Sequence, residues 1–332
     1  MKRSSHSAFT LVELLVVIGI IALLISILLP ALSKAREAGN TIKCAANLRS
    51  IGQGFTRYVA ENRQTYPPCV DYNGAHTDKN VAHGYIHWSA LIQDDGPGNG
   101  TEPRYFSTNA WKAYLCPSLE NGGLPPTNTY PANLDPGQQN ETPGIVDVQA
   151  PRCAYVVNEA ICPRNKWPLG FEGAGHAYQF VRAGSVTRPA ETILATEWTQ
   201  NWRIMQSVSK VDGGAQVCES HRGVHGFEVL GGQGPEIWKQ PAGGNRPTYA
   251  RVSIDEVIGD PQPTGDVPPT LLNAVGRNHG HKKLDPRGND ERKTNFLYAD
   301  GHVETKNIVE TVGPTWQWGD HFFSLTPTDM FR

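Results

Sequence analysis

An α+β fold is predicted: one long N-terminal helix packed on a β-rich, loop-rich globular head with an antiparallel sheet. Three observations predict it. Residues 9–29, FTLVELLVVIGIIALLISILL, form an almost unbroken apolar run. From Ile42 to Val59 apolar residues return in steps of three and four, the period of one helical face. Beyond about residue 69 the texture changes to short β-prone runs cut by Gly, Pro, Asn and Asp.

The chain divides accordingly. Residues 1–8, MKRSSHSA, make a short polar and basic leader. Residues 9–32 make a transmembrane helix, since about twenty apolar residues at about 1.5 Å each span a bilayer core of about 30 Å. One acid, Glu13, interrupts the run. A carboxylate in hydrocarbon costs about 2.5–3.5 kcal/mol on insertion scales, so Glu13 requires a functional reason. A secretory signal peptide has a shorter apolar stretch and a cleavage site beyond it. Here the small residue suited to cleavage, Ala8, precedes the run, so a cut between Ala8 and Phe9 leaves the apolar segment on the mature chain. Lys34 and Arg36 on the far flank offset Lys2 and Arg3, so charge asymmetry alone does not set the orientation.

After Pro30 the helical pattern resumes, and residues 33–66 read as its amphipathic continuation. Ile42, Ala45, Leu48, Ile51, Phe55, Tyr58 and Val59 lie on one face, with Lys43, Arg49, Gln53, Arg57 and Glu61 opposite. Pro67 and Pro68 stop it. Gly39, Gly52 and Gly54 weaken it by about 1 kcal/mol each relative to Ala.

Residues 67–332 form the head. Expected strands are Ala154–Val157, Thr192–Ala195, Phe227–Leu230, Asn295–Ala299 and His302–Lys306, with short helices at Trp88–Leu91 and Trp111–Leu115. The polar segments Asn121–Gln149, Gly231–Pro247 and Gly259–Pro269 read as surface loops. Asp300-Gly301 reads as a two-residue type I′ hairpin, which would set Tyr298 opposite Val303 and Ala299 opposite His302.

Composition narrows the function. A net charge of −2 with no basic block argues against nucleic-acid binding. No GxSxG, Walker A or dinucleotide-binding glycine pattern occurs, and catalysis is not expected. Cys44, Cys69, Cys116, Cys153, Cys162 and Cys218 could form disulfides if the head is exported, without the sequence choosing the pairing. No CxxC pair points to a zinc ribbon. His279, His281, Asp300 and His302 would be a metal site on the sharper reading; the reading adopted is a polar hairpin tip beside a loop His pair, with no metal. His221 and His225 have helical ligand spacing but Gly223 lies between them and the HExxH glutamate is missing. The oxygen-rich stretch from Asp94 to Glu102 could wrap calcium but lacks EF-hand ligand order and reads as an acidic turn, so no cofactor is expected. Glu197-Trp198 and Trp202 could face a sugar, although burial is the commoner fate of such aromatics.

The leader, Ala8, Phe9, Glu13 and the apolar run resemble the N-terminal cleavage and methylation signal of type IV prepilins and type II secretion pseudopilins. With Phe9 as the first mature residue, Glu13 falls fifth, where that family carries its acid, and Pro30 falls where these helices often carry a proline. The C-terminal RNHGHKKLDPRGNDERKTNFLYADGHVE resembles the processing-associated H-X9-DG motif, with His279 or His281 as its His and Asp300-Gly301 as its Asp-Gly. Twenty residues separate His279 from Asp300, and a polar insertion, roughly KKLDPRGNDER, accounts for the departure. CAANLRSIGQGFTRYV and Cys116-Pro117-Ser118 also look typical of that family. The resemblance implies a pilin-like structural subunit, cut by a prepilin peptidase and N-methylated on Phe9. It further implies a single pass through the inner membrane, with the N terminus cytoplasmic and the head outside. The implied partners are other pilin-like subunits, the inner-membrane secretion platform and lipid, with Glu13 pairing the Phe9 amine of a neighbour. The alternative reading is a membrane-anchored exported enzyme or glycan-binding protein that uses the signal for delivery.

Overall fold

The computed structural model describes residues 10–72, 85–93, 110–126, 147–165, 180–199, 206–208, 216–218, 223–230, 248–257, 271–280 and 290–320. The described elements begin with helix α1 (Leu11–Glu61), β1 (Val70–Tyr72), β2 (Tyr85–His87), the single turn α2 (Trp88–Leu91) and a 3₁₀ turn over Ala110–Tyr114. They continue with β3 (Tyr155–Val157), β4 (Arg164–Asn165), β5 (Ile193–Glu197), β6 (Gln206–Val208), β7 (Gln216–Cys218), β8 (Phe227–Leu230) and β9 (Thr248–Arg251). β10 (Thr294–Tyr298) and β11 (Val303–Lys306) are the last two described strands, and further short 3₁₀ turns lie between and after the strands. The α+β class holds: one long apolar helix and a sheet-rich head.

The central sheet has the order β11-β10-β5-β3, antiparallel throughout. All five residues of β5 and of β10 are buried, so this sheet is covered on both faces and shows no polar alternation. On one face α1 supplies Leu48, Ile51, Phe55 and Val59 against Val157, Leu194, Ala195 and Leu297. On the other, Val156, Ile193, Phe296 and Tyr298 join Phe227, Leu272, Trp316 and Trp318 in a second core. A smaller sheet, β2-β1-β4, pairs β1 antiparallel with β2 and parallel with β4.

Helix α1 lives in two environments. From Leu11 to Leu32 its apolar side chains are exposed on all sides, and this segment is long and apolar enough to cross a membrane. From Cys44 onward it buries Cys44, Ala45, Leu48, Ile51, Gly52, Phe55 and Val59 against the head. Ile42 departs from the expected face and stays exposed. Pro30 sits inside the continuous helix, removing one backbone donor without ending it. The helix stops at Glu61, before the expected boundary at 66 and ahead of the prolines. Asn62 turns its side-chain amide back to the Tyr58 carbonyl at 2.8 Å. Arg63 and Gln64 then adopt left-handed φ of 54° and 59°, and the Gln64 N–H closes on the Val59 carbonyl at 2.9 Å. Two of the glycines that looked like weak points permit close packing instead. A Cβ on Gly52 would stand 3.0 Å from Leu297 Cδ1, and one on Gly54 would stand 3.2 Å from the Ile92 carbonyl oxygen.

The expected strands all form, with ends shifted by up to two residues, and the two short helices appear as α2 and the 3₁₀ turn. The three expected loops lie largely outside the described residues. The Asp300-Gly301 hairpin is corrected in register. Leu297, not Tyr298, lies opposite Val303, and the Tyr298 N–H reaches the His302 carbonyl at 2.9 Å. The loop therefore holds three residues, Ala299 to Gly301, closed by the Gly301 N–H on the Tyr298 carbonyl at 2.9 Å. Gly301 alone takes a left-handed φ, 96°, as a type I turn with a bulge requires; type I′ would need two such residues. Gly301→Val should therefore cost the head about 1–2 kcal/mol through backbone conformation alone, because open space surrounds a Cβ there. A thermal melt should show the loss, and Gly301→Asn should recover part of it.

Candidate functional site

Two regions carry the chemistry. The first is the start of α1. Thr10 caps the helix while Glu13 reaches back: Glu13 N–H donates to Thr10 Oγ1 at 3.2 Å, and the Thr10 N–H and hydroxyl both donate to Glu13 Oε2 at 2.8 Å. This capping box gives the carboxylate local hydrogen bonds at the positive end of the helix dipole. The Thr-x-x-Glu spacing of this box is present in the sequence. Ala8 and Phe9 lie outside the described residues.

The second region is buried where α1 crosses the end of the central sheet. Cys44 comes from α1, Cys116 from the turn after the 3₁₀ segment, Glu197 from the last position of β5, and His279 from the bridge that pairs it with Lys293. All four are buried, Cys44, Cys116 and Glu197 completely. The Cys44 and Cys116 sulfurs are 2.6 Å apart. His279 Nε2 lies 2.7 Å from Glu197 Oε1, close enough that the ring donates to the carboxylate. Asn295 Nδ2 donates to the same oxygen at 2.8 Å and to the Thr41 carbonyl at 3.2 Å. On its other edge, His279 Nδ1 faces Ser118 Oγ at 3.3 Å and Glu37 Oε1 at 3.4 Å. Glu197 Oε2 is buried with no hydrogen-bond partner among the described residues.

Electrostatics separate Cys116 from the other described cysteines. Burial pushes the Cys153 thiol up to about 12 and raises Cys69 and Cys162 well above the ordinary thiol value, which makes them inert packing residues. Cys44 is also raised, by its hydrogen bond with Cys116 and by burial, whereas the bond from Cys44 holds Cys116 below its ordinary value. Burial lowers His279, but the hydrogen bond and charge of Glu197, with Cys116 and Glu37, outweigh it and hold the imidazole above its ordinary value.

Among the described residues, His279 is not brought together with Asp300 and His302, the grouping that the sharper metal reading would need. His302 sits at the half-exposed hairpin tip, its Nδ1 2.6 Å from Asp300 Oδ1 and its ring stacked on Tyr298 at 4.3 Å between centroids. His279 belongs to the buried group, and His281 lies outside the described residues, as do His221, Trp202 and the stretch 94–102. His225 and Trp198 are buried. Five of the six cysteines have described side chains, none disulfide-bonded; the Cys218 side chain is outside that set. Sequence reading had singled out Cys44, Cys116 and His279, but Glu197 only as the neighbour of a tryptophan.

A family model described as the prokaryotic N-terminal methylation motif matches residues 3–29. The match supports a prepilin-type protein of the pilin or pseudopilin kind, with a single-pass membrane anchor, and it covers the leader and the exposed half of α1. No curated protein and no solved structure matches the chain.

The buried His279–Glu197 pair generates a stability test. His279→Leu should leave the Glu197 carboxylate buried and uncompensated, at a cost of about 3–5 kcal/mol. Denaturant unfolding should show this as a lower midpoint, and adding Glu197→Leu should return much of the loss.

Proposed function

We propose that the chain is a structural subunit of the pseudopilin kind, in a type II secretion or type IV pilus type system. A prepilin peptidase would cut between Ala8 and Phe9 and methylate the new Phe9 amine. The mature helix would cross the inner membrane with its N terminus cytoplasmic and its head outside, meeting the secretion platform and neighbouring subunits there. The observation that carries this reading is the division of α1: one half docks on its own head, while Leu11 to Leu32 present apolar side chains with no partner among the described residues. Such a stripe packs equally well against lipid or against the same stripe of a neighbour, so specificity must come from packing and polar contacts. Glu13 supplies one. The cationic Phe9 amine of an adjacent subunit would offset the burial of its charge, and of its own. The role is structural rather than catalytic.

Mass spectrometry of membrane-extracted protein should find a chain beginning at N-methylated Phe9. An intact Met1 or Lys2 in the presence of the peptidase contradicts the reading.

The capping box provides a control for Glu13. Glu13→Gln preserves the cap and removes the charge, whereas Glu13→Ala removes both. Both should be inserted and cleaved, and both should lose about tenfold in intersubunit crosslinking, the effect of about 1.4 kcal/mol. Wild-type crosslinking of Glu13→Gln would assign the residue to capping alone.

A further inference from the structure

We propose that Cys44, Cys116, Glu197 and His279 hold a zinc-type divalent cation that clamps the anchoring helix to the head. Their potential ligand atoms, two sulfurs, one carboxylate oxygen and one ring nitrogen, all lie within 4.8 Å of one another. The set matches a closed, four-coordinate structural site, and its two thiolates select a soft ion over calcium or magnesium.

Two of the ligands, His279 and Glu197, already have the outer partners such a site needs. Ser118 Oγ and Glu37 Oε1 face His279 Nδ1, so with the proton on Nδ1 the Nε2 lone pair is directed at the ion. Asn295 donates to the Glu197 carboxylate, and its own side-chain oxygen is engaged by the Thr305 hydroxyl. The second, independent sign of a ligand is Glu197 Oε2, a buried oxygen that no described group satisfies. Leaving such an atom unmade costs about 1–3 kcal/mol, more when charged, and an ion removes that cost.

A Cys44–Cys116 disulfide is the rival. The sulfurs at 2.6 Å stand between the two outcomes. A disulfide would draw them in to about 2.05 Å. A tetrahedral ion about 2.3 Å from each would hold them about 3.8 Å apart. The disulfide needs the smaller movement, but it engages two of the four groups and leaves Glu197 Oε2 as it is. The ion engages all four. As it enters, the two thiol protons leave to solvent while His279 keeps its proton on Nδ1, and the binding free energy becomes folding free energy for the junction of α1 with the head.

The test uses the full chain, extracted in detergent and purified without chelator or metal-affinity resin. Elemental mass spectrometry should find about one zinc per chain. Native mass spectrometry should find the same ion with both cysteines reduced, and replacement by Co²⁺ should give thiolate-to-cobalt absorption. Cys44→Ser, Cys116→Ser and His279→Gln should each reduce the metal below about a tenth of an equivalent, while His302→Gln at the exposed tip should leave it unchanged. Measurement on the unmutated chain decides even if those variants do not fold. A metal-free chain lacking two hydrogens, with a mapped Cys44–Cys116 peptide, would overturn the proposal. So would metal that survives all three substitutions.

Discussion

The contact between the second half of α1 and the central sheet is the one on which the remainder of the molecule depends. Leu48, Ile51, Phe55 and Val59 cover the face of β5 and β10 that presents Leu194, Ala195 and Leu297. Each fully buried aliphatic or aromatic side chain contributes about 1.5–3 kcal/mol, so this seam is a main source of the head's stability. It also determines where the anchor emerges. An α-helix is stiff through its backbone hydrogen bonds, and α1 is continuous from Leu11 to Glu61. The direction of the apolar half is thereby set by packing twenty or so residues away. Gly52 and Gly54 serve this seam by letting Leu297 and Ile92 approach the helix backbone.

The same crossing explains the polar group at its edge. Glu197, Asn295 and Tyr155 lie on the helix-facing side of the sheet, beside Cys44 and His279. An apolar seam would exclude water from all of them, so each polar atom must find its partner inside the protein. Asn295 does so completely, with bonds to Thr41, Glu197 and Thr305. Tyr155 shares its hydroxyl with the Cys44 carbonyl and Asn47. Glu197 does so by half, and that imbalance makes the group more than ordinary core packing.

The hairpin beyond β10 shows how a short motif carries part of the answer. Asp-Gly between two β-prone runs specified a turn correctly, yet either a two-residue or a three-residue loop suits that pair. The register was settled by Leu297, which must face α1, and by Phe296 and Tyr298, which must face the second core. His302 stacks on Tyr298 and bonds Asp300 because the longer loop brings Tyr298 opposite it.

By itself the sequence determined the features that need only neighbouring residues. The membrane-length run, the amphipathic period of α1, the strands β8 and β10 and the turn after β10 are all local in this sense, because 3.6- and 2-residue periodicities and turn chemistry act within a few residues. Tertiary structure alone decided what depends on distant chain segments meeting. The strands β1, β2 and β4 are two or three residues long, too short to show a period, and exist through their pairing. Helix α1 ends at Glu61 because Asn62 to Gln64 can turn back on it, although the prolines come later. Cys44, Cys116, Glu197 and His279 have no common spacing in the chain, and only the closure of the sheet onto α1 brings their ligand atoms within 4.8 Å of one another.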